Sequence, residues 1–287
     1  MQIYELDYDM RRDMLNEQIR HLKNINESMA EKRDKYREFS QQSEIDFNSL
    51  ESCCRMYERS VLIDAYTLSE QLVKNLYYQL IDKDRYNNER LKRFINEKIN
   101  PDKFSPNVLY DRIETAVSTE LSENFKFIYN KNNDEVQSYN HMVKSRHKYA
   151  HSGNYIFENE KFEDVVKVID YMHMEFSILI CEDNLYRVNF QKDFKNLNNL
   201  TKDIEKSISR LQYNNKGKRD TLKSKFLKLR SLCRKIVTVY DSYLSTCSLL
   251  NEVYEKIKFM RYIDLRSLDS CVQKFCETKD IIKTSFI

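Results

Sequence analysis

Two glycines, Gly153 and Gly217, are all that a chain of 287 residues contains, and no other property of the sequence constrains its fold as much. At a usual ~7% a chain of this length carries roughly twenty. Tight β-turns need residues at positive φ, and phosphate-binding loops need glycines where the backbone must approach a ligand closely. With two glycines and two prolines neither can be supplied in quantity. The count therefore speaks against sandwiches, barrels and doubly wound folds, and predicts an all-α protein. Because the two glycines stand far apart, a Walker A loop and a dinucleotide-binding GxGxxG are both absent, which removes ATPase and Rossmann dehydrogenase readings.

Charge and cysteine usage narrow the setting. Forty-eight basic residues against 45 acidic ones leave a formal net charge of +3, so any electropositive site must be local. The seven cysteines are an odd number, Cys53 and Cys54 are adjacent, and no CxxC pair exists. That pattern points to reduced thiols in a cytoplasmic protein rather than to a disulfide framework or a zinc site. The opening MQIYELDYDMRRD lacks the apolar core of a secretion signal, and no stretch approaches the ~18 apolar residues of a membrane span. A soluble protein with no membrane partner is expected.

Hydrophobic periodicity divides the chain into an amino-terminal helical arm over 1–43, a helical domain over 44–183, and a long hairpin with a terminal helix over 184–287. In the arm Leu15, Ile19, Leu22, Met29 and Tyr36 keep a 3.5-residue repeat, which predicts one helix packed along a narrow seam. Phe47, Leu50, Cys54, Tyr57, Val61, Leu68, Leu72 and Leu76 trace one face of the next helix. Leu62, Tyr66, Val73, Tyr77 and Leu80 trace another, as in a helix at the middle of a bundle. Helices are predicted near 89–98, 106–122, 135–152 and 160–182, with Gly153 placed to close the third of these. Leu222, Phe226, Leu229, Cys233, Ile236, Tyr240, Tyr243, Cys247, Leu250, Tyr254 and Ile257 alternate steps of four and three. They predict one coiled-coil-like helix ~60 Å long. Leu197, Leu200, Ile204, Ile208 and Leu211 lead into it across Asn214-Asn215-Lys216-Gly217, so the pair reads as an antiparallel hairpin with the arm helix covering its overhang.

The chemistry concentrates in one place. Four of the five histidines, His141, His147, His151 and His173, fall within 33 residues. On helix 135–152 Val136, Tyr139, Val143 and Ala150 make the buried stripe, and Arg146 falls inside it, where a guanidinium needs a partner. Asp64 and Glu70, within an otherwise apolar helix, are the carboxylates suited to pair with it. On the neighbouring flank Asn140, Lys144, His147 and His151 recur at steps of four, three and four, a row of donors and titratable groups suited to an anion. His147 and His151 also have the i, i+4 spacing of two zinc ligands, but Lys148 stands where a zincin needs glutamate, so no metal and no other cofactor is assigned. His173, beside Met172 and Phe176, reads as a core histidine, and His21 as a surface one.

The string Arg146-His147-Lys148-Tyr149-Ala150-His151-Ser152-Gly153 resembles the active-site motif of the HEPN superfamily (higher eukaryotes and prokaryotes nucleotide-binding domain). The shared features are Arg-x4-His, a polar residue after the arginine, Ala before the histidine and a glycine closing the helix. The resemblance covers roughly residues 44–182, and Ala65-Tyr66-Thr67-Leu68-Ser69-Glu70 fits the family's early core helix. It implies a HEPN-like helical bundle, here embedded between long flanking helices. It implies also a metal-independent endoribonuclease of a toxin–antitoxin, abortive infection or antiviral defence system. Arg146 would hold the scissile phosphate, and His151 would act as acid or base while the ribose 2′-hydroxyl attacks. His147, Asn140, Lys144 and Glu70 would serve as auxiliary groups. Five helical steps set Arg146 and His151 about 140° apart around the axis and ~7.5 Å along it. Two chains facing across a twofold axis can combine them, so the composite cleft of a homodimer is expected.

One basic stretch stands apart. Between Lys216 and Lys235 nine Lys or Arg residues face a single acid, Asp220. Lys216, Lys218, Arg219, Lys223 and Lys225 read as an RNA-binding run, although the same charges suit a solvated helix face or docking on the acidic arm. The expected partners are an RNA substrate, a second copy of the chain, and an antitoxin or other regulatory protein. Two other readings stay open: a non-catalytic helical interaction protein that binds nucleotide or RNA, and a metal-dependent hydrolase built on the histidine cluster.

Overall fold

The computed structural model describes residues 6–83, 104–122, 125–181, 184–210 and 216–286. Eleven α-helices are found among them, and the one sheet-like pairing is an isolated antiparallel bridge between Tyr129 and Phe286. The all-α class read from the glycine count is what the chain adopts. Among the described residues no helix is long and apolar enough to cross a membrane. The helix predicted near 89–98 lies outside the described residues, as do Leu211, Asn214 and Asn215. The chain forms two compact units, Met1–Phe125 with Asp134–Ile169, and Lys126–Asn133 with Asp170–Ile287.

The first unit holds α1 (Tyr8–Glu31), α2 (Arg33–Ser43), α3 (Phe47–Lys83), α4 (Tyr110–Glu120), α5 (Asp134–Ser152) and the opening turns of α6 (Phe162–Cys181). The single arm helix predicted over 1–43 is instead two, parted at Lys32, and the second ends at Glu44, whose left-handed φ of 57° turns the chain into α3. Leu15, Ile19 and Leu22 are buried, whereas Met29 and Tyr36 are only half-buried, so the seam weakens beyond Leu22. α1 docks on α3: Gln18 donates through Nε2 to Asp64 at 2.8 Å, and the Tyr57 hydroxyl donates to the Gln18 carbonyl at 3.3 Å. Beyond Ser60, α3 buries both predicted faces, with Val61, Leu68, Leu72 and Leu76 on one and Leu62, Tyr66, Val73 and Tyr77 on the other. It is therefore the central helix of this unit, and α5 packs against it.

The second unit contains the remainder of α6, α7 (Asn184–Ser209), α8 (Lys216–Leu244), α9 (Asn251–Met260), α10 (Leu268–Cys276) and α11 (Lys279–Ser285). α7 and α8 form the predicted antiparallel hairpin, pinned where Asp193 receives Lys235 at 2.6 Å and Asp203 receives Lys225 at 2.8 Å. The ~60 Å helix expected through Ile257 stops at Leu244. Ser245 and Thr246 turn their hydroxyls back onto the carbonyls of Asp241 and Tyr243 at 2.6 and 3.0 Å, a local alternative to continuing the helix. After a 3-10 turn at Ser248–Leu250, α9 runs back along α8, so that Arg234 donates to the Arg261 carbonyl at 3.3 Å. Tyr254 and Ile257 stay buried because both arms of this bend present the same apolar stripe to one core. Within this unit α9 and α10 pack on α8.

Lys126–Asn133 threads into this second unit. The Tyr171 hydroxyl accepts the backbone N–H groups of Ile128 and Tyr129, each at 3.0 Å, and donates to the buried Glu175 carboxylate at 2.6 Å. Arg187 pairs with Glu175 and donates to the Lys126 carbonyl at 2.9 Å, while the Asn130 N–H donates to the Ser285 carbonyl at 2.9 Å.

Candidate functional site

The helix that carries the Arg-x4-His string is anchored by its first half. Val136, Tyr139, Met142 and Val143 are buried. The Tyr139 hydroxyl donates to the Val108 carbonyl at 2.8 Å, and Asn140 Oδ1 accepts the N–H of Tyr110 at 3.1 Å, satisfying an orphan donor at the start of α4. From His147 onward α5 emerges: His147, Lys148, Ala150, His151 and Ser152 are exposed. Ala150 is thus not part of the buried stripe, because the core contacts of this face end with the half-buried Arg146 and Tyr149. Gly153 closes the helix as predicted, at a φ of 70° and with its N–H donating to the Tyr149 carbonyl at 2.9 Å. The loop that follows is tied to α3, since Tyr155 donates to Asn159 at 2.7 Å and Asn159 to Glu58 at 2.8 Å.

Arg146 finds its partner in a ring. Its guanidinium carbon lies 4.3 Å from the centroid of Tyr66, on α3. The His147 imidazole meets the same ring edge to face, 5.5 Å between centroids and 80° between planes. One α3 heptad earlier the polarity reverses, with Arg59 over the ring of Tyr149 at 5.4 Å. Neither expected carboxylate reaches Arg146. Glu70 pairs with Lys74, one turn along its own helix, at 2.9 Å, and Asp64 is occupied by Gln18. Among the described residues, no hydrogen bond or ion pair engages the Arg146 guanidinium.

Partial desolvation, then the Arg146 cation and the neighbouring His151, hold the His147 pKa below the ordinary imidazole value, which favours the neutral imidazole at pH 7. Burial raises the Tyr66 phenol, with Arg146 opposing that shift and Glu70 adding to it. Arg146 and His151 thus both act electrostatically on His147 at the end of a single helix. The cluster combines a fixed cation, a neutral imidazole and a solvent-exposed imidazole, groups able to hold an oxyanion and move a proton.

The other predicted residues divide. Asn140, half-buried, accepts the α4 N–H of Tyr110 through Oδ1 and lines the same cleft as Lys144. Lys144 is exposed and lines a polar cleft of about 470 Å³ with Asp134, Gln137, His141, Glu158 and Lys161. His141 packs its ring 5.6 Å from that of Phe157, and His173 belongs to the second unit, half-buried. In the basic stretch Lys216, Lys218, Arg219 and Lys223 are exposed on the opening turns of α8, whereas Lys225 is spent on Asp203 and Ser207, both at 2.8 Å. Among the described residues no three His, Cys, Asp or Glu side chains gather closely enough to hold a metal ion.

Tyr66 is the site residue that sequence reasoning did not single out. Its pattern on α3 marks a core position, and only the register between α3 and α5 sets it beneath Arg146. Compared with known proteins, the chain matches no family model, no curated sequence and no solved structure.

Proposed function

We propose that the exposed end of α5 binds a phosphodiester and that the protein is a HEPN-like, metal-independent endoribonuclease. The observation that carries this reading is the half-buried Arg146 guanidinium, which no carboxylate among the described residues engages, on the same helix end as two accessible imidazoles. A guanidinium not neutralised from within is available to the oxygens of a phosphate as charge builds on them. In the proposed reaction the ribose 2′-oxygen attacks phosphorus and gives its proton to an imidazole, the P–O5′ bond breaks, and the leaving oxygen takes a proton. The products are a 2′,3′-cyclic phosphate and a 5′-hydroxyl. His151 is the exposed proton carrier, and His147, held neutral, is suited to accept one. The splay of Arg146 and His151 around the helix supports pairing of two chains, each lending one group to a shared cleft. The setting in defence or toxin–antitoxin function, with an antitoxin or similar regulator, rests on the motif alone.

The test is incubation of the full chain with tRNA and mRNA in the presence of chelator. Cleavage with cyclic phosphate ends is expected, falling roughly 10²–10³-fold in Arg146→Ala and roughly 10²–10⁴-fold in His151→Ala, with both variants folded. Wild-type rates in either folded variant would end the assignment. A second reading, RNA binding without cleavage, is favoured by one observation: Asn140 and Glu70 are tied into the scaffold, which leaves fewer polar groups for chemistry than the motif implies. Retention of RNA with no cut ends in the same assay supports it.

A further inference from the structure

We infer that Tyr66 is the positioning residue of this site, acting through Arg146: its ring face carries the guanidinium, and its edge contact with His147 fixes the spacing between cation and imidazole. The inference rests on the phosphodiester-binding reading above and goes beyond it by naming the group that builds the geometry.

Three observations converge on this tyrosine. Its side chain is almost fully buried on the central helix, at 3% exposure, so its ring is a rigid platform rather than a mobile surface group. The platform carries two functional side chains that are neighbours in sequence, Arg146 at 4.3 Å and His147 at 5.5 Å. The carboxylates nearest in the sequence of α3 are engaged elsewhere, Glu70 by Lys74 and Asp64 by Gln18.

Chemistry makes the choice of a ring consequential. A carboxylate that held Arg146 would take two of its N–H donors in a bidentate pair and cancel its charge. A π face attracts the same cation through its quadrupole and consumes no donor. The arginine is therefore held in place and still able to grip a phosphate with its full fork. Because one ring also sets the His147 imidazole, displacing it disturbs both groups together.

The test uses the full chain with Tyr66→Phe, which keeps the face, and Tyr66→Leu, which keeps apolar volume and loses it. Tyr66→Met replaces the leucine variant should that one fail to fold. RNA cleavage in chelator is expected to stay within about threefold of wild type in the Phe variant. In the Leu variant kcat falls roughly 10- to 100-fold, the cost of displacing groups from reacting geometry, with KM moving less. Two measurements do not depend on cleavage: the NMR titration of His147, and its shift on adding inorganic phosphate. Both should match wild type in the Phe variant and change in the Leu variant. If the wild type cuts no RNA, the nuclease reading fails while these two measurements still decide the role of Tyr66. A folded Leu variant with unaltered His147 titration and unaltered phosphate response overturns the inference, as does a Leu variant that cleaves at the wild-type rate.

Discussion

Arg146 shows how one side chain separates what composition reveals from what register decides. An arginine on an apolar stripe announces that something unusual receives it, and that much could be read from the spacing of Val136, Tyr139 and Val143. The identity of the receiver could not, because it depends on how α3 slides against α5. Glu70, like Asp64, suits Arg146 by sequence, although the i, i+4 relation to Lys74 offers Glu70 a partner on its own helix. Glu70→Gln should accordingly leave RNA cleavage at the wild-type rate and lower stability by only about 0.5 kcal/mol; a large loss of turnover in this variant would return the carboxylate to the site. His147 supplies a pH dependence. Its folded-state pKa is depressed, so its contribution to stability is fully present above the ordinary imidazole value near 6.5 and is lost as pH falls below it. Thermal midpoints measured downward from pH 7 should therefore decline less steeply in His147→Asn than in wild type, and identical slopes would show that the imidazole is not held neutral by its surroundings.

Among the helices, those with an unbroken apolar stripe and a clear terminator were readable. α5 runs from Asp134 to Ser152 against a prediction of 135–152, with Gly153 as its stop. The hairpin of α7 and α8 was equally clear, whereas the end of α8 was hidden. Cys247, Leu250, Tyr254 and Ile257 continue the same repeat after the chain has turned, and a repeat carries no mark of direction. Ser245 and Thr246 were the available signal, as residues whose hydroxyls compete for helix carbonyls. The hairpin itself hinges on Asp193, 4% exposed, which accepts the Tyr240 hydroxyl at 2.9 Å as well as Lys235. Asp193→Ala strands that phenol in the core and should cost about 1–3 kcal/mol in chemical denaturation. A cost near zero would mean that water replaces the carboxylate and that apolar packing alone sets the hairpin.

Across the whole chain, the compact units do not follow the order of the sequence. Lys126–Asn133 is built into the second unit although it leads directly into α5 of the first. Phe286 helps to hold it: the residue is 2% exposed, pairs with Tyr129 across the isolated bridge, and sets its ring 4.8 Å from that of Phe194. Phe286→Ala should cost about 3 kcal/mol, and amide exchange at Asn130, whose N–H donates to Ser285, should rise with it. Unchanged exchange there would show that Tyr171 and Arg187 suffice without the carboxy-terminal turn. This threading bears on anyone who would cut the gene into pieces. An excised fragment ending with α6 retains the eight residues from Lys126 to Asn133 but forfeits Arg187, Ser285 and Phe286, on which they rest. Recombinant halves of this protein should be co-produced as complementary polypeptides, not purified singly.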